Sequence, residues 1–218
     1  QLGRIFSEYA FSSQILAKEA IRAKSEEVIM ENKLQWQKIL LDALNTSDKS
    51  SQQVINDVIA QVGEVLNADV AALYVKDKQG DLDCQYIWSK NQSMSAEEYV
   101  TEWQRANMKF RSWQNGQGSG KLVDKGYLVI DAKHMDEAAK KIMSGGPVKS
   151  FTAVPVYVNG NYGAVFVLAN TSINKLWTTE EIEFVKQTGD VLRSALEKIE
   201  SDDSVKRINS VLLDTYNY

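Results

Sequence analysis

The stretch SFTAVPVYVNGNYGAVFVLA, residues 150–169, decides the fold. Two runs rich in Val, Ala, Tyr and Phe, Ser150 to Val158 and Tyr162 to Ala169, meet across Asn159-Gly160-Asn161. Asn-Gly tolerates the left-handed backbone of a tight turn whose twist suits the flanking strands, so the stretch reads as an antiparallel hairpin.

Immediately C-terminal, Trp177-Thr178-Thr179-Glu180-Glu181-Ile182 carries a complete helix start. Thr178 is the cap, Glu181 closes a capping box, and Trp177 and Ile182 occupy hydrophobic-staple positions. In the helix that follows, Ile182, Val185, Gly189, Leu192, Leu196 and Ile199 alternate spacings of three and four, the seam of a paired helix. The phase slips at Ser201-Asp202-Asp203, which reads as a stutter or as a new helix start.

N-terminal to the hairpin, residues 135–143 read as a short helix and Tyr127 to Ile130 as a short strand. Phe110 to Lys125 holds three glycines and no periodicity, and reads as a long loop. Ser95 and Glu98 form a capping box for a helix to about Met108. Asp69 to Val75 and Leu82 to Trp88 form a hairpin around Lys78-Gln79-Gly80-Asp81, with Cys84 alternating with Leu82, Tyr86 and Trp88. Ser50 with Gln53 opens an amphipathic helix bearing Val54, Ile55, Val58, Ile59, Val62 and Leu66. Before a polar break at Asn45 to Ser51, one long helix runs from Leu2 to about Ala43, with Leu2, Tyr9, Leu16, Ala23 and Met30 at heptad spacing. A second seam through Ile5, Ser12, Glu19 and Glu26 is poor, so a strict coiled coil is not demonstrated.

This order predicts an α+β domain: a central antiparallel sheet covered by helices, with long helices at both termini. The hairpin block resembles the GAF family, in which an apolar-Pro-apolar step, here Val154-Pro155-Val156, precedes a turn and a Gly-apolar-apolar step, here Gly163-Ala164-Val165. The resemblance covers about residues 50–200 and implies a GAF-like, PAS-related sensor domain. It leaves 1–46 as an N-terminal signalling helix and 201–218 as a helical linker toward an output domain outside this chain. By resemblance to bacterial signalling proteins, that output is a histidine kinase of a two-component system or a diguanylate cyclase. Beginning and ending within helical patterns, the chain reads as excised from something longer.

Composition narrows the functions. A net charge of −4 gives no basic footprint for phosphate backbones, so nucleic acid is not expected as a partner. One cysteine, Cys84, supports neither a disulfide nor a cysteine-rich metal site and fits the cytoplasm. No apolar run approaches the roughly 20 residues of a membrane helix, so no membrane contact by these residues is expected, whether or not the parent protein is anchored. His134 is the only histidine, which excludes multi-histidine metal sites. Asp131 and Asp136 flank it without forming a recognisable catalytic set. Gly116-Gln117-Gly118-Ser119-Gly120-Lys121 departs from a phosphate loop, which needs Gly at Asn115 and Ser or Thr at Leu122.

Within the GAF resemblance, bilin attachment uses a cysteine usually followed by histidine, whereas Gln85 follows Cys84 here. Free methionine sulfoxide reductases need more than one cysteine, and the Asn-Lys-Phe-Asp-Glu signature of cyclic-nucleotide binders is not intact. No cofactor is predicted, and no catalytic residue. The remaining expectation is an unknown small molecule walled by Trp88, Trp103, Trp113 and Phe151, with Arg105, Arg111 or His134 as polar anchors. A homodimer is expected through Leu2, Tyr9, Leu16, Ile182, Val185, Leu192, Leu196 and Ile199. A ligand-free dimerisation spacer is the competing reading, and a small redox enzyme the weakest.

Overall fold

A computed structural model describes residues 2–45, 48–91, 122–134 and 148–216, with side chains described for 14–45 and up to 210. Residues 1–38 form one compact unit and 39–218 another. The first is occupied by helix α1, Leu2–Leu44, which continues into the second.

The second unit is built on helix α2 (Ser51–Val65), strands β1 (Val70–Lys76), β2 (Leu82–Ser89), β3 (Leu128–Ile130), β4 (Ser150–Val158) and β5 (Asn161–Asn170), and helix α3 (Thr179–Tyr216). The strands form one antiparallel sheet in the order β2-β1-β5-β4-β3. The β4–β5 turn has Asn159 at φ 50° and Gly160 at φ 78°, the two left-handed residues that a two-residue hairpin needs. Two of the three expected capping boxes form, Ser50 with Gln53 at α2 and Thr178 with Glu181 at α3, and the third, Ser95 with Glu98, lies outside the described residues.

The two faces of the sheet have separate cores. On one, α2 and α3 pack over β1, β2 and β4. Gly189 of α3 lies against Val154 and Val156, and Gly63 of α2 against Trp88 and Ala71. On the other, Val70, Ala72, Tyr74, Leu82, Cys84, Phe151, Ala153, Val165, Val167 and Ala169 form a buried cluster with Ile130, Leu122 and Val148.

Several sequence expectations are corrected. A register shift between Leu73 and Tyr74 pairs Leu73 with Tyr86 but Tyr74 with Cys84, leaving Gln85 as a bulge. Cys84 and Leu82 therefore face one core while Tyr86 and Trp88 face the other, and the simple alternation fails. The C-terminal end of the expected loop, Leu122 to Lys125, is a helical turn with Leu122 buried. Helix α3 passes through Ser201 to Asp203 without interruption, so the phase slip is no helix start. Val185, Leu192 and Leu196, expected in a dimer seam, are buried in this chain's own core at 0%, 0% and 5% exposure. Ile182 and Ile199 are half-buried. The expected helices at 95–108 and 135–143 and the Gly116 to Lys121 segment lie outside the described residues.

Candidate functional site

Among the described residues, side chains on both faces of the sheet are buried, and a cleft opens at the sheet's edge. Strand β3, among the described residues, ends the sheet and pairs only with β4. Beside it runs a cleft of about 690 Å³. One wall is β3 with Lys125, Tyr127, Asp131, Lys133 and His134, and the other is Leu176 to Glu180 with Ile182, the entry and first turn of α3.

Asp131 holds these walls together. Its side chain is fully buried, and Oδ1 accepts from the Lys133 N–H at 2.9 Å, the His134 N–H at 2.8 Å and His134 Nδ1 at 2.8 Å. Oδ2 accepts from the Trp177 N–H at 3.3 Å, and nearby Ala132 N–H donates to Asn174 Oδ1 at 3.2 Å. Burial pushes the Asp131 carboxyl up, but the bonds from the His134 side chain and from the His134, Trp177 and Lys133 amides outweigh it and hold the pKa below the usual range. The carboxylate stays ionised, so His134 Nδ1 carries its proton toward it, and Nε2 of the 45% exposed side chain has no hydrogen-bond partner among the described residues.

The other wall is fixed as firmly. Lys175 pairs with Glu181 at 2.8 Å, stands 4.5 Å from the centre of the Trp177 ring and donates to the Leu66 carbonyl. Trp177 is 4% exposed, yet its Nε1 has no acceptor among the described residues. Tyr127 carries the Lys186 ammonium over its ring at 4.8 Å.

Of the sequence-predicted ligand residues that are described, His134 lines this cleft and Trp88 and Phe151 do not. Phe151, at 1% exposure, is core of the sheet face opposite α2 and α3, and Trp88 packs on the other face against Gly63. They cannot share a pocket wall, because the Gln85 bulge turns Trp88 to the α2 side. Trp103, Arg105, Arg111 and Trp113 lie outside the described residues. Tyr127, Lys133 and Trp177 escaped the sequence reading as site residues. The nearest signal was Trp177 itself, read only as a staple for α3.

Cys84 has no access to solvent chemistry. Burial, and then the Asp83 charge, push its thiol up to about 12, so it is less reactive than an ordinary thiol. Among the described residues no group of three or more His, Cys, Asp or Glu is placed to hold a metal, and no helix is long and apolar enough to cross a membrane.

The architecture defines an α+β domain with a five-stranded antiparallel sheet, helices packed on it and further helix at each terminus. Comparison with known proteins then names the family. Residues 50–196 match the GAF domain, and the chain belongs to that family. Its members are in general regulatory sensor modules and not catalysts. Solved structures share the fold at low identity. The phycocyanobilin-bound GAF domain from a cyanobacterial phytochrome superimposes with a TM-score of 0.56 at 14% identity, covering 77% of this chain and 94% of that one. The GAF domain of a phosphoenolpyruvate-protein phosphotransferase from Coxiella burnetii gives 0.56 at 15%, covering 78% and 98%. That of a putative sensor histidine kinase from Pseudomonas syringae pv. tomato gives 0.54 at 11%, covering 82% and 98%. No curated protein matches this sequence.

Proposed function

We propose that this chain is the regulatory sensor module of a bacterial signalling protein, passing the state of its GAF domain along its terminal helices to an output domain. The observation that carries this is the continuity of α3. Its first part is buried against β4 and α2, and the same helix runs on through residues 201–210, all exposed. A rigid helix rooted in the domain core transmits any repacking there. Likeness to the Pseudomonas domain favours a histidine kinase as output, with a diguanylate cyclase as the alternative. A cytoplasmic setting fits the single reduced cysteine.

The protein acts as a homodimer in this reading, through the expected α1 row of Leu2, Tyr9 and Leu16 extended along that helix, with Val205 and Ile208 in place of the α3 positions first expected. In α1, positions 2, 6, 9, 13, 16, 20, 23, 27, 30, 34, 37, 41 and 44 alternate spacings of four and three, and only Ser13, Glu27 and Gln37 interrupt their apolar character. Leu16, Met30, Leu34, Leu41 and Leu44 of this row are each more than half exposed. In α3 the exposed Val205 and Ile208 lie roughly 150° round the helix from the buried Leu192 and Leu196, at about 100° per residue. The phase slip thus marks where α3 stops facing its own sheet.

The bilin of the phytochrome relative does not fit these residues as a covalent cofactor, because the only thiol is buried in the sheet core with its pKa raised. The dimerisation-spacer reading is favoured by one observation, the filling of the second sheet face by the chain's own side chains.

The test uses nitroxide labels on an Ile208→Cys chain, in which buried Cys84 stays unlabelled. Asp131→Asn loosens the cleft wall. A transmitter shifts the label-to-label distance distribution across the dimer, whereas an unchanged distribution leaves only the spacer.

A further inference from the structure

We propose that the cleft between β3 and α3 binds a small monoanionic organic carboxylate with a flat apolar body. The assignment builds on the sensor reading for its consequence, but binding is read on the domain alone.

Size is the first argument. About 690 Å³ lies within the range of roughly 300–1,000 Å³ typical of small-molecule pockets. Lining chemistry is the second. Leu128, Val129 and Ile182 offer an aliphatic surface beside the Tyr127 ring, so the body of the ligand is apolar. The third is an excess of donors. Trp177 lines the cleft, and its Nε1 is a buried donor without an acceptor among the described residues, a group that native interiors rarely leave unsatisfied. Lys125 and Lys133 are paired with no carboxylate among the described residues, and both line the cleft. The ring of His134, held by Asp131 through Nδ1, is 45% exposed on the cleft wall.

Charge sets the limit on the anion. Asp131 is engaged by four donors and is not free to bind, while Glu180 on the α3 wall stands against a doubly charged group such as phosphate. A planar carboxylate meets the donors with one charge and seats its ring on the apolar wall. Such a ligand spans β3 and the first turn of α3, so its binding acts directly on the helix that leaves the domain. It also differs in place from the buried sheet face around Phe151, which the chain fills itself.

The experiment is a titration of the ¹⁵N-labelled full chain with 2-naphthoate, with neutral 2-naphthamide as control and Trp177→Phe to assign the indole resonance. The expected result is a saturable shift of the Trp177 indole N–H. The amide and the Lys133→Ala variant should each bind about tenfold more weakly, the loss of roughly one charge-assisted hydrogen bond. Lys133 is exposed, so its variant keeps the wild-type unfolding midpoint. No saturable shift at millimolar naphthoate, or an equal response to the amide, overturns the site. Naphthoate binding without any change in the Ile208 label distances leaves the site standing and overturns transmission instead.

Discussion

The two parts of α3 obey different physics on one unbroken helix. From Phe184 to Leu196 its apolar residues are buried against the sheet and α2, whereas Val205 and Ile208 are 54% and 59% exposed and have moved to another side of the helix. A sequence seam of threes and fours says that a helix has a partner, not which one. Here the first seam's partner is the chain's own domain, and the second is left exposed, for another copy in the proposed dimer.

That contrast is sharpest under truncation. Leu192→Ala, at a fully buried site, should lower unfolding free energy by about 2–5 kcal/mol. Ile208→Ala should stay within about 0.5 kcal/mol for the domain in urea denaturation of the monomer. Equal losses at the two positions would erase the distinction. In the proposed dimer, Met30→Glu with Leu34→Glu should convert the chain to monomer in sedimentation while leaving domain stability unchanged, because carboxylates are expensive to bury in an apolar seam.

Gly63→Ala tests the helix-facing core away from α3. The added methyl would stand 2.4 Å from the Trp88 ring, so the ring must move, at about 1–3 kcal/mol in thermal or chemical unfolding.

Acid sensitivity separates the cleft from the rest. Asp131 and Asp69 both have folded pKa values held below the ordinary 3.8, Asp69 because hydrogen bonds from Ser172 and Thr171 outweigh its burial. A depressed carboxyl contributes stability that is fully present above the unfolded value and is lost as pH falls through the folded one. Asp131→Asn should therefore cost on the order of 1–3 kcal/mol near neutrality, and the gap from wild type should close below about pH 4 in urea titrations repeated across pH. The smallest effect concerns Cys84: a thiol reagent should label it only after denaturant is added, with no change to the fold beforehand.

Local chemistry was legible along the chain. Ser50 with Gln53 and Thr178 with Glu181 form their boxes because capping joins residues three apart, and Asn159-Gly160 turns because two positive φ angles suit that pair. The GAF resemblance followed from the same hairpin. The aromatic pocket did not follow, since Trp88 and Phe151 are assigned to faces by a single extra residue, Gln85, and a bulge inverts every side chain beyond it. The cleft was equally hidden, because Asp131 and Trp177 lie 46 residues apart and meet only when β3 takes the sheet edge and α3 starts beside it. The sequence by itself determined the helices, hairpins and turns, whose causes lie within a few residues. Only the tertiary structure decided which apolar stripe is core, which is left exposed, and which donors converge on the cleft, because these depend on contacts between residues far apart in the chain.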